Sequence, residues 1–337
     1  MNIVRFAKDW TLPLAMGIGT LVYLLFASLP ALDGAATFFS PIMATILPWF
    51  MFLILFVTFC KVDFRLLRPV MWHLWVGVFQ VLFIGMLMAV IITSSPSCIP
   101  ALASVQRPGA EGLGEVLILL EALLMCIISP CATAAAVVTQ KLGGSLEQMT
   151  TYTFLSNFIT VFLVPVCFPL IEPGIHMEFW PAFLKILHEV FAVLIVPMIL
   201  AYIVKHTMKR LHARIIAVRD LSYYLWACSL MIVTGTTVKN IVNAEATVWL
   251  IIAIALMGLL VCVVQFAVGR YIGHFFDHTQ EAGQALGQKN TAFAIWLSSA
   301  YLNPLSSVGP GCYILWQNII NSVEIWAHRK NQQKKQT

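Results

Sequence analysis

Lys289 has more chemistry to offer than any other residue in this chain. It stands at the join of two unlike pieces. Before it runs Gly283-Gln284-Ala285-Leu286-Gly287-Gln288, rich in glycine and amides. After Asn290 and Thr291 comes the apolar helical run Ala292-Phe293-Ala294-Ile295-Trp296-Leu297. A lysine near the middle of a membrane crossing is costly and marks function. Its ammonium has three courses. It can snorkel to the surface, which mostly serves residues near helix ends. It can act as a tethered cation, donating to Gln80 and to carbonyls that a broken helix leaves free. Or it can exchange its proton during a cycle, since burial disfavours the charged form of an amine. The residues alone leave the last two open. Glu121 is the second unusual charge. It faces a water-filled cavity, hydrogen-bonds a neighbouring helix, or serves an external vestibule or proton exchange. An ion pair with Lys289 is not expected, because Glu121 lies about 13 Å of helix before the break at Pro130. Lys185 and Glu189, one turn apart, can pair with each other.

The elements that must position these groups are membrane spans. The chain of 337 residues is 60% hydrophobic and 10% charged, with a mean hydropathy of +0.87. Soluble domains carry about 25% charged residues. The composition therefore excludes a soluble protein, and the net charge of +5 is no sign of nucleic-acid binding. The eight cysteines are scattered through apolar runs without a CxxC pair, so neither a disulfide framework nor a zinc site is indicated. Apolar runs place ten spans near 11–31, 41–60, 69–94, 114–140, 150–171, 180–204, 220–242, 246–273, 279–301 and 305–327. Arg5 and Lys8 before the first run resemble a signal peptide, but the run is long enough to span and is read as the first helix. With the N-terminus inside, the outer loops hold only Arg107 and Lys239, and Lys185 and Lys289 lie within spans. All the other Lys and Arg residues fall inside or in the basic tail 328–337. That asymmetry orients both termini to the cytoplasm, in a plasma (inner) membrane.

Spans four and nine read as broken. Ser129-Pro130-Cys131 interrupts the fourth, because proline removes a backbone donor and clashes with the preceding turn. The glycines and amides of 283–290 interrupt the ninth. The two breaks are five spans apart, and their neighbours echo one another. Val78-Phe79-Gln80 matches Val263-Val264-Gln265. Thr133-Ala134-Ala135-Ala136-Val137 matches Thr291-Ala292-Phe293-Ala294-Ile295. Leu155-Ser156-Asn157-Phe158-Ile159-Thr160 matches Trp316-Gln317-Asn318-Ile319-Ile320-Asn321. The shared order predicts two five-helix repeats, about 10–171 and 180–327. An odd number of spans makes the second copy inverted, as in secondary transporters with a site where two discontinuous helices cross. The fold class expected is an all-α polytopic membrane protein of ten helices. Spans three to five and eight to ten (69–171, 246–327) form a core. Spans one, two, six and seven (11–60, 180–242) form a panel.

These motifs resemble the bile acid:sodium symporter family, within the wider bile/arsenite/riboflavin transporter superfamily, and the chain looks like a divergent bacterial-type member. The likeness runs nearly throughout. Phe56 to Phe64 resembles the end of the family's second helix and the loop after it. Gly77-Val78-Phe79-Gln80 resembles its third helix, whose glutamine helps bind sodium. Pro130 to Ala136 resembles its Pro-Gly-Gly-Thr-Ala-Ser-Asn crossover, and Ala285 to Thr291 its Glu-Val-Gly-Met-Gln-Asn-Ser crossover. The departures matter most. The resemblance implies that Ala135 and Ala136 replace a sodium-binding Ser-Asn pair, Ala285 a bridging glutamate and Lys289 a glutamine. Gln80, Thr133 and Asn290 remain, and Ser156 and Thr160 resemble the sodium-ligand helix. A fixed ammonium and a sodium ion about 4 Å apart repel by about 4 kcal/mol at an effective dielectric of 20. No cofactor and no bound sodium are therefore expected.

The function expected is alternating-access transport of a small organic anion, independent of sodium or coupled to protons. The half-helices that start near Cys131 and Thr291 aim backbone N–H groups at the crossing, which favours an anion. The candidate binding residues are Lys289, Gln80, Thr133, Asn290, Gln288, Ser156, Asn157, Thr160, Asn318, Glu121 and Gln265, with no metal site. The partners expected are the lipid bilayer and the anion, without nucleic acid. The remaining Trp, Phe and Met residues are read as lipid-facing or packing. A sodium-coupled symporter with a reduced site is the alternative, and a channel or membrane receptor the rival class. No HExxH or paired-carboxylate constellation suggests an enzyme.

Overall fold

The computed structural model describes residues 10–94, 110–171, 178–243 and 246–334. Arg5, Lys8, Cys98, Arg107, His176, Lys335 and the side chain of Glu189 lie outside the described residues. Among the described residues every regular element is helical. In chain order they are α1 (Thr11–Ser28), α2 (Asp33–Lys61), α3 (Met71–Ser94), α4 (Ala110–Ile128), α5 (Ala135–Lys141), α6 (Leu146–Ile171) and α7 (Phe179–Val190). There follow α8 (Val196–Thr207), α9 (Lys209–Ala217), α10 (Leu221–Val242), α11 (Val248–His274), α12 (Thr279–Gly287), α13 (Thr291–Tyr301) and α14 (Val308–Lys334).

Six of these, α1, α2, α3, α6, α10 and α11, are long and apolar enough to cross a membrane. The tenth expected span is the single helix α14, and the other three come in pieces. The fourth is α4 and α5 around 129–134, and the ninth is α12 and α13 around 288–290. The sixth is α7 and α8 joined by a π-helical turn, Phe191–Ile195, just before Pro197. Such turns absorb the backbone bond that a proline removes. Prolines 41 and 48 in α2 and 165 and 169 in α6 stay within continuous helices, as membrane helices allow. One element was not foreseen: α9 (KRLHARIIA) is a short basic helix with no buried residue, lying between α8 and α10.

Glycine decides where helices meet most closely. α1 packs on α10, and a Cβ at Gly19 would overlap the Met231 carbonyl. α11 packs on α12, and a Cβ at Gly269 or Gly273 would overlap the carbonyls of Ala282 or His278. Gly287 lies against the Phe266 ring, and Gly309 brings α14 against the Ala122 carbonyl of α4. Small residues at such contacts are how helices associate in lipid, where burying apolar surface gives no drive. Much apolar surface faces outward, for example Leu21 (67% exposed) on α1 and Trp249 (79%) on α11. A bilayer suits both.

Candidate functional site

The site is made of two gaps in helices. Pro130 cannot donate to the ladder, and the chain leaves α4 after Ile128 and resumes helix only at Ala135. The helical half expected to start near Cys131 thus starts four residues later. The reason is that 130–132 pairs with the other gap. Ala132 N donates to Gln288 O and Asn290 N donates to Pro130 O, both at 2.9 Å, forming an antiparallel bridge between Cys131 and Lys289.

A helix that ends inside a membrane leaves its last carbonyls without partners. Here the carbonyls from 125 to 130 each receive a donor. Ser129 Oγ bonds Met125 O. Gln265 Nε2 reaches Cys126 O at 3.3 Å. Gln80 Nε2 is shared between Ile127 O at 3.3 Å and Ser129 O at 3.4 Å. Thr160 Oγ1 donates to Ile128 O at 2.9 Å, and Pro130 O takes Asn290 N. The Lys289 ammonium completes the set, donating to Ile127 O at 3.1 Å. Lys289 is 1% exposed, so it does not snorkel. A cation at this helix end meets the partial negative charge of the macrodipole. The expected bond from Lys289 to Gln80 is not made. Gln80 Oε1 instead accepts from Tyr152 OH at 3.2 Å.

The backbone at Lys289 is clamped by α14. Lys289 N donates to Gln317 Oε1 at 2.8 Å, and Gln317 Nε2 donates back to Lys289 O at 3.2 Å. On the other side, Cys131 N donates to Ser156 Oγ of α6 at 3.0 Å. Ser156 and Gln317 occupy matching places in the two echoed segments, and each supports the gap of its own half. One turn before each stands a tyrosine. Tyr152 bonds Gln80, and Tyr313 OH accepts from Gln265 Nε2 at 2.9 Å and donates to Gly287 O at 2.7 Å. Gln317, Tyr152 and Tyr313 were missed in the sequence. Extending the echo of 155–160 with 316–321 one turn backwards would have found both tyrosines.

A cavity of about 60 Å³ adjoins the crossing. One wall is mainly apolar: Leu47, Met51 and Ile54 of α2, and Trp226, Leu230 and Val233 of α10, with Ser229 among them. The other is polar, with Thr133, Gln288, Asn290 and Asn318. Met51 and Trp226 thus line the cavity, against the expectation that Trp and Met residues away from the crossing only pack or face lipid. Asn290 caps α13, its Oδ1 accepting from Phe293 N at 3.2 Å. Asn157 Nδ2 donates back to Thr153 O at 2.7 Å, and Asn318 Nδ2 to Ile314 O at 2.7 Å.

Glu121 stands apart from this group. It is buried, and its Oε2 accepts from Ser306 Oγ at 2.6 Å. Of its expected settings, a hydrogen bond to a neighbouring element is the one found; it precedes Ile127 by about 9 Å of helix. Lys185 Nζ lies 5.4 Å from the centre of the Tyr301 ring and 5.9 Å from that of Trp296. Ala135, Ala136 and Ala285 pack into one apolar cluster with Cys131, Met149 and Leu286. Methyl groups thus fill the positions where the resemblance implies sodium ligands.

The family model described as the sodium bile acid symporter family matches residues 48–273, which include Gln80 and the first crossover. No curated protein matches the chain.

Proposed function

This chain belongs to the sodium bile acid symporter family, and we propose that it is a sodium-independent secondary transporter of small organic anions, with Lys289 in place of the coupling cation. Membership makes it a multi-pass membrane transporter in type. The single observation carrying the finer reading is the ammonium of Lys289 on Ile127 O, at a helix end whose other carbonyls already have donors. Sodium needs a shell of free oxygens, and a positive charge already stands there. The alanine cluster removes the side-chain oxygens as well. A single carbonyl, Ile127 O, accepts from the amine, an arrangement that serves a tethered cation or an amine that exchanges its proton.

In this reading ten passes form two inverted five-helix repeats, and both termini face the cytoplasm. The end contacts support that topology. His212 Nε2 meets Cys60 O, Lys61 Nζ meets Arg219 O and Lys205 Nζ meets Val62 O, all between segments the charge count puts inside. Thr247 Oγ1 meets Glu115 Oε1 between segments it puts outside. The core helices rock against the panel, and the substrate sits in the cavity between α2 and α10 on one side and the crossing on the other.

The test needs no known substrate. The melting temperature of the purified protein is recorded in sodium, potassium and choline chloride, for wild type and for Lys289→Gln with Ala285→Glu. A ligand at 100 times its Kd stabilises by about 2.7 kcal/mol. Wild type is expected to melt alike in all three salts, and the double variant to be raised by sodium alone. Stabilisation of wild type by sodium would overturn the reading.

A further inference from the structure

Gln288 is 0% exposed, and neither Oε1 nor Nε2 of its amide has a hydrogen-bond partner. An unpaired amide is expensive in such a place, because both atoms forgo the bonds they would make in water. The backbone around Gln288 is extended, so successive side chains point to opposite sides. Lys289 turns to α4 and Ile127 O, and Gln288 lines the cavity. On the same polar wall lies Asn318, 1% exposed, whose Oδ1 is also without a partner. Gln288 and Asn318 together offer one free donor and two free acceptors, opposite a mainly apolar wall. Among the described residues no carboxylate lines the cavity, and Lys289 beside it has its ammonium engaged elsewhere.

We propose that Gln288 is a specificity-determining residue of the transport site, selecting solutes that carry an uncharged donor–acceptor group, a hydroxyl or an amide, beside their negative charge. This rests on the organic-anion reading above for the charge, though not for the hydrogen bonds. The Gln288 amide both donates to and accepts from such a group, and Asn318 Oδ1 accepts a second N–H or O–H. A plain alkyl carboxylate has no proton to give Gln288 Oε1 or Asn318 Oδ1 and leaves both unpaired, and sites built to hydrogen-bond a solute reject the analogue that lacks the group.

The experiment compares wild type with Gln288→Met by thermal shift in detergent. The probes are butyrate, 4-hydroxybutyrate, N-acetylglycine and the neutral butyramide. Without ligand, Gln288→Met is expected to melt a few degrees higher than wild type, since two unpaired buried atoms are removed. Wild type is expected to bind 4-hydroxybutyrate and N-acetylglycine at least tenfold tighter than butyrate, and Gln288→Met to lose that preference. Butyramide separates the two readings. If it binds as well as N-acetylglycine and butyrate does not bind, the anion reading fails and the role of Gln288 stands. If Gln288→Met melts lower without ligand, or both proteins rank the probes alike, Gln288 is a packing residue and the proposal falls. An absence of shift with every probe overturns both.

Discussion

At the residue scale, the crossing illustrates how a buried break in a helix is made tolerable. Each of the carbonyls from 125 to 130 has a donor, and most of those donors are side chains of other helices. Tyr313 is the most exposed to test, because its hydroxyl serves two partners, Gln265 Nε2 and Gly287 O. Tyr313→Phe leaves Gly287 O without that donor, and we expect a loss of about 1–2 kcal/mol, seen as a lower melting temperature in detergent. Tyr152→Phe is expected to cost less, since Gln80 keeps its bonds to Ile127 O and Ser129 O. A double-mutant cycle of Tyr313→Phe with Gln265→Leu should give a coupling well above zero. Strict additivity would show that the two side chains do not act together. Gln80, Thr160 and Lys289 were legible as candidates from residue type and spacing. Their shared target, the end of α4, was not, because a carbonyl carries no sequence identity.

At the element scale, close helix contacts rest on single glycines. α1 offers an internal control. A Cβ at Gly19 would overlap Met231 of α10, whereas one at Gly17 meets nothing within 4 Å. Gly19→Ala is expected to destabilise by at least 2 kcal/mol, because backbone on both helices must move apart. Gly17→Ala is expected to be neutral or to stabilise by up to about 1 kcal/mol through helix propensity. Thermal unfolding of the two variants side by side decides it, and equal effects would mean that α1 does not seat on α10 as described. The break at Pro130 could be read from sequence, since proline has no N–H. The delayed start of α5 could not, because it depends on pairing with residues more than 150 positions away. The α9 helix was hidden for another reason: its basic residues read only as an inside loop.

At the scale of the whole molecule, the two broken helices also fasten the ends of the two halves to each other. Glu121 of α4 accepts from Ser306 just before α14. Glu281 of α12 accepts from Ser145 N, just before α6, at 2.7 Å. Each discontinuous helix thus holds the entry to the last helix of the opposite half. In the proposed topology the first pair lies at the outer face and the second at the inner face. Single cysteines at Lys209, Thr247 and Lys334, in a cysteine-free background, check this with a membrane-impermeant maleimide. Thr247→Cys should react in intact cells, and Lys209→Cys and Lys334→Cys only after permeabilisation. Labelling of Lys209→Cys from outside would invert the orientation.

Composition and apolar run length by themselves determined that the chain is a helical membrane protein and roughly where each helix runs, because a bilayer demands apolar spans of a set length. The unusual charge at Lys289 and the break at Pro130 were equally plain, being local properties of residue type. Tertiary structure alone decided what Lys289 bonds, that Ala135, Ala136 and Ala285 close into one apolar cluster, and that Gln288 faces a cavity with its amide unpaired. Those are relations between segments far apart in the chain. The bonds and contacts that set them form only when the two gaps meet.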